Sequence, residues 1–120
     1  MRVWDIPVKH LCMQHLLGEH NEIHTIWSII TNGKKGFAHH PETMRWRGRL
    51  GALIRRHDEV ANELQSRSGN AHKTPLDSLV AASEGPDTWI QERMVESVAS
   101  QIENLRRKAC KCNLTGMEST

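Results

Sequence analysis

A chain of 120 residues with 38% apolar and 25% charged side chains is sized for one core of modest volume, and its composition excludes both a disordered chain and a fibrous repeat. The longest uninterrupted apolar run, Leu79 to Ala82, is far short of the roughly 20 residues of a membrane-spanning helix, and Arg2, Asp5 and Lys9 break the stretch where a secretory signal would have its apolar centre. The formal net charge of +2 conceals an asymmetry, because residues 1–60 carry nine Lys/Arg against six Asp/Glu and residues 61–120 carry seven against eight.

These features lead to the expectation of a single cytoplasmic domain over residues 1–120, all-α and compact, with about three main helices behind an extended N-terminal segment. The first helix is expected from about Leu11 to Thr31, where Leu16, Ile23, Trp27 and Ile30 recur at helical spacing and Asn32-Gly33 supplies a stop. The second is expected from about Glu42 to Arg67, with Trp46, Leu50, Leu53, His57, Val60 and Leu64 as its apolar stripe and Gly69 as its end. Trp46 lies between Arg45 and Arg47, but its place on that stripe makes it a core residue rather than a wedge for DNA. Between Ser68 and Asp87 the chain reads as loop with one helical turn at Leu76 to Ala82. The third helix is expected from about Thr88 to Lys111, with Thr88 and Gln91 as a capping box and Ile90, Met94, Val98, Ile102, Leu105 and Ala109 as its stripe.

Charge is concentrated in residues 34–56, where Lys34, Lys35, Arg45, Arg47, Arg49, Arg55 and Arg56 face only Glu42. A net +6 over so short a stretch suits phosphate, although a solvated helix face has the same composition. On the first helix, His15, Glu19 and Glu22 fall beside the apolar stripe, with Gln14, Asn21 and Thr25 further round. At that margin partial desolvation raises a carboxyl pKa and lowers that of an imidazole, which suits acid/base chemistry.

The zincin register needs Glu directly after the first His, and Asn21 follows His20; the inverted register needs two residues between His and Glu, and three separate His15 from Glu19. Cys12, Cys110 and Cys112 are an odd number, the last two a single residue apart, so reduced thiols are expected rather than a disulfide framework. Neither a metal site nor an organic cofactor is expected from these patterns.

The segment Gln14-His15-Leu16-Leu17-Gly18-Glu19-His20-Asn21-Glu22-Ile23 resembles the first catalytic helix of the pyrimidine-dimer DNA glycosylases of the phage endonuclease V type. Asn32-Gly33-Lys34 and the basic second helix with Arg55-Arg56 extend the similarity over about residues 1–70. The resemblance implies a glycosylase with coupled AP lyase activity on damaged duplex DNA; a monomer is expected. The family's nucleophile, a terminal α-amine, falls on Met1, which should be retained before the bulky Arg2, and its essential acid falls on Glu22. Arg2, Gln14, His15 and Asn21 would then contact sugar and phosphate, while Lys34, Lys35, Arg45, Arg47 and Arg49 would hold the DNA backbone. Asn21 and Thr25 stand where the family has arginines, and residues 109–120 lack the family's aromatic side chains. Pyrimidine dimers are the implied lesion, with another damaged base or an abasic site as alternatives. Two other classes stay open: a non-catalytic DNA-binding helical protein, and a metal-dependent hydrolase using the His-rich first helix.

Overall fold

The computed structural model of the chain describes residues 2–69, 76–108, 110 and 112–114. Among them the regular structure is entirely helical: α1 (Met13–Asn32), α2 (Pro41–Trp46), α3 (Leu50–Ser68), α4 (Ser78–Ala82) and α5 (Val98–Arg107), with 3-10 turns at Val8–His10 and Pro86–Trp89. The long helices α1 and α3 pack against each other and enclose a core that includes Leu16, Ile23, Ile26, Leu53 and Val60, closed by Trp46, Ile102 and Leu105 from the shorter helices. No helix among the described residues is long and apolar enough to cross a membrane.

The first expected helix is present. It stops where Gly33 takes φ 61, a left-handed conformation that glycine adopts without a Cβ penalty, and the Gly33 amide closes on the Ile29 carbonyl. The second is two helices. His40 caps α2 by accepting the Glu42 N–H on Nδ1, and α2 ends at Trp46; Gly48 at φ 75 then turns the chain before α3 begins. Pattern reading bridges this break because Trp46 and Leu50 are four apart and both are buried. The new helix start is satisfied from a distance, since Leu50 N–H donates to Glu84 and Gly51 N–H to the Thr88 hydroxyl, at 2.9 and 2.7 Å.

That last bond also explains why the third expected helix starts ten residues late. Thr88 is fully buried, receiving the Gly51 N–H and donating to Glu84 at 2.7 Å, and the Gln91 side-chain amide donates to the Arg45 carbonyl at 2.7 Å. Both members of the expected capping box therefore serve other segments. Residues 90–97 stay non-helical, with Ile90 and Met94 exposed instead of forming a stripe, and Ser97 caps α5 by accepting the Ser100 N–H. Ala109 lies outside the described residues.

Candidate functional site

Residues 2–7 of the amino-terminal segment cross the helices without strand or helix of their own, so their buried amides need other acceptors. Three side chains from three helices supply them. Val3 N–H donates to Glu42 Oε1 on α2 at 3.2 Å, Trp4 N–H to Glu19 Oε1 on α1 at 3.0 Å, and Asp5 N–H to Gln101 Oε1 on α5 at 2.8 Å. The two glutamates are buried, and each has an arginine partner, buried Arg45 for Glu42 and partly buried Arg56 for Glu19. Arg56 grips Glu19 through Nε at 2.5 Å and Nη2 at 3.1 Å. Arg45 holds Glu42 at 2.8 Å, and the Trp46 indole N–H donates to the same carboxylate at 3.1 Å. Burial pushes the Glu19 carboxyl above its ordinary value, against the opposing pull of Arg56 and the Trp4 amide. Glu19 is thus an anchor inside the core, not a residue at the margin of the α1 stripe.

Held in this way, the segment forms one wall of an open cleft of about 590 Å³. Arg2 and Trp4 come from that segment, Gln14, His15, Gly18 and Glu22 from the exposed side of α1, and Asn104, Arg107 and Lys108 from the end of α5. The Arg2 guanidinium stacks on the Trp4 ring with 4.6 Å to its centroid and pairs with Glu96. Trp4 meets the His15 ring edge-on at 5.7 Å. Burial, reinforced by the Lys108 charge, holds the His15 pKa below its ordinary 6.5, so the ring is neutral at pH 7. Glu22, with the Arg56-bound Glu19 behind it, at a wall lined with cations and neutral donors is an arrangement suited to a phosphodiester beside a group that gains or loses a proton.

The cleft brings together Arg2, Gln14, His15 and Glu22 of the expected site. It does not gather the basic stretch. Lys34 lines a second hollow of about 430 Å³ with His24 and Phe37, Lys35 is exposed, and Asn21 lies on the exposed side of α1. Arg47 and Arg49 direct Nη groups to the carbonyls of Ala38 and Asp87, at 3.0 and 3.3 Å. Arg45 requires a correction. Its side chain is only 4% exposed, and its guanidinium bonds Glu42, Asp5 and the carbonyls of Val3 and Arg93. Its charge is neutralised internally, which removes it from the DNA-backbone contacts. The cleft cations Arg107 and Lys108, with Asn104, were missed; the only signal for them is the run Arg106-Arg107-Lys108 at a helix end. Met1 lies outside the described residues.

The titratable residues of α1 separate into different groups. His20 and His24 meet His57 from α3, with ring centroids 4.7 to 5.1 Å apart, and the His24 and His57 Nε2 atoms are 3.2 Å apart. His15 instead turns Nδ1 to the sulfurs of Cys12 and Cys112, each at 3.2 Å. The three cysteines are thiols, and burial pushes that of Cys112 up to about 12. The ligand-type atoms within each group, His20/His24/His57 and Cys12/His15/Cys110/Cys112, all lie within 4.8 Å of one another.

The family model of pyrimidine dimer DNA glycosylase matches residues 1–76, which takes in the amino-terminal segment, α1, α2 and α3. No curated protein and no solved structure matches the chain. The matched span supplies the segment and helix face of the cleft and stops before α5. With well over half of the sequence matched, the chain belongs to the pyrimidine dimer DNA glycosylase family.

Proposed function

We propose that this protein removes damaged bases, pyrimidine dimers first among them, from duplex DNA and then cuts the strand at the abasic site, with the α-amine of Met1 as nucleophile and Glu22 as the essential acid/base. The observation that carries the reading is the anchoring of the amides of residues 3–5 by Glu42, Glu19 and Gln101. Three such anchors hold the irregular segment that follows Met1, and Arg2 and Glu22 line one cleft.

An α-amine has a pKa near 8, against about 10.4 for a lysine side chain, so a useful fraction is neutral at physiological pH. Its lone pair attacks C1′ of the deoxyribose; the N–C1′ bond forms as the glycosidic bond breaks, and the base leaves with the electron pair. Loss of an amine proton and protonation of the ring oxygen open the sugar to an iminium. The Glu22 carboxylate, which stabilises the cationic sugar, then takes the C2′ proton; those electrons form the C2′–C3′ double bond and expel the 3′ phosphate. Water hydrolyses the imine and returns the amine. Gln14, His15 and Arg2 are assigned to the sugar and flanking phosphate, and Arg107 and Lys108 to the backbone on the opposite wall.

Borohydride reduction tests this directly. The untagged chain should become covalently joined to a duplex containing a cyclobutane dimer or an abasic site, and an uncleaved amino-terminal extension, which converts the amine to an amide, should abolish the adduct. Trapping by a chain whose extension is intact by mass spectrometry would move the nucleophile to a lysine such as Lys9 or Lys34. A chain that binds the duplex but neither cuts it nor forms an adduct would be the non-catalytic DNA-binding protein instead.

A further inference from the structure

We propose that Cys12, His15, Cys110 and Cys112 form a closed Cys3His site for a zinc ion that clamps the segment after α5 onto the amino-terminal end of α1. The site shares His15 with the cleft, through Nδ1, but is argued from the geometry of the four side chains and not from the proposed reaction. Three sulfurs and one imidazole nitrogen lie within 4.8 Å of one another. Tetrahedral zinc, with bonds of about 2.3 Å to sulfur and 2.0 Å to nitrogen, sets its ligand atoms roughly 3.4–3.8 Å apart. The 3.2 Å separations of His15 Nδ1 from Cys12 and Cys112 Sγ need only open by a few tenths of an ångström.

The donor set decides the class of ion. Thiolate with imidazole is a soft, tetrahedral combination that suits zinc and not the oxygen-seeking magnesium or calcium. Four protein ligands leave no open position, so the role is structural. A disulfide accounts for the cluster less well, because it would use two of the three thiols and leave the third beside the imidazole. On binding, zinc replaces the three thiol protons, which pass to solvent, and the site carries net −1. That charge lies at the amino-terminal end of α1, for which Cys12 is the N-cap, and beside Lys108 in the cleft wall. The Cys12 N–H already points at Cys112 Sγ at 3.1 Å, the kind of outer bond that supports a thiolate ligand.

The clamp has a physical purpose. Among the described residues the last helix ends at Arg107, and a backbone pairing of Asn113 N–H with the His10 carbonyl at 2.9 Å helps hold the chain beyond that helix end. Cys110 and Cys112 precede that attachment closely, and they lie outside the residues matched to the family. Ligation would fix the cation-bearing end of α5 against α1, and with it two walls of the cleft, since His15 and Lys108 line it together.

Metal analysis of the untagged full-length chain purified under reducing conditions should find about one zinc per chain. Cobalt substitution should give the intense visible bands of a tetrahedral ion together with sulfur-to-cobalt charge transfer. The Cys110→Ser/Cys112→Ser double variant should lose the zinc, whereas His24→Asn, which disrupts only the histidine trio, should keep it. Stripping the zinc should open the chain to trypsin after Arg107 and Lys108. A wild-type chain that takes up neither zinc nor cobalt overturns the proposal, as does zinc retained by the double variant or lost from His24→Asn. A cobalt spectrum without the sulfur band would place the ion on histidines and overturn it even if the double variant fails to fold.

Discussion

Replacing Arg45 by alanine separates a charge that binds DNA from one that holds the fold. The guanidinium is 4% exposed and bonds Glu42 at 2.8 Å, Asp5 at 2.9 Å and the carbonyls of Val3 and Arg93 at 2.8 and 2.9 Å. Alanine leaves Glu42 as a buried carboxylate with, among the described residues, only the Val3 amide and the Trp46 indole as donors, and removes the donor from two carbonyls. Breaking a buried pair by deleting one partner costs about 3–5 kcal/mol, a large fraction of the roughly 5–15 kcal/mol that stabilises a domain. Urea unfolding should therefore show a loss of about 3 kcal/mol or more, and duplex binding measured at low temperature, while the variant is still folded, should keep its salt dependence. Lys108→Ala is the counterpart: an exposed cation in the cleft wall should change stability by less than about 0.5 kcal/mol and lower the slope of log K against log salt by about 0.9. An Arg45→Ala protein within about 1 kcal/mol of the parent, with a slope reduced by about 0.9, would refute the internal assignment of Arg45.

Glu22→Gln keeps shape and hydrogen bonding but loses the base and the negative charge, so strand cleavage should fall by about two orders of magnitude or more with duplex affinity retained, as single-turnover cleavage and a binding titration would show. Gly51→Ala should destabilise by about 1–3 kcal/mol in a denaturant titration despite alanine's better helix propensity. A Cβ there would lie 2.6 Å from the fused ring of Trp89 and 3.0 Å from Thr88 Cγ2. Gln101→Ala removes the acceptor of the Asp5 amide and the donor to its carboxylate, and should slow borohydride trapping more than it weakens duplex binding.

What could be read in the sequence is what repeats locally. Leu16, Ile23 and the Asn32-Gly33 stop specify α1, and Leu50, Leu53, His57 and Val60 specify the buried face of α3, because helical period and termination are properties of neighbouring residues. The break between α2 and α3 depends on the positive φ of Gly48 and on acceptors 34 and 37 residues away, Glu84 and Thr88. Sequence spacing carries no trace of those acceptors. The same holds for Glu19 and Glu42, which sit at ordinary polar positions in the sequence yet anchor amides of the amino-terminal segment. Cys12 and Cys112, 100 positions apart, meet only through the fold.

Charge density alone does not tell the cations bound inside from those that face solvent. The stretch 34–56 carries seven cations against one acid, but the two buried glutamates neutralise Arg45 within it and Arg56 at its end, while Arg47 and Arg49 engage backbone carbonyls. The carboxylates that matter are therefore in the core, and they orient arginines inward while holding the amino-terminal segment against the helices. The cleft takes its cations from elsewhere: Arg2 before the helices, and Arg107 and Lys108 at the end of α5, in a half of the chain that is net acidic. A cation in a basic stretch faces phosphate only where no buried acid turns it inward, and here Glu42 and Glu19 turn Arg45 and Arg56 while Lys34, Lys35 and Arg55 stay exposed.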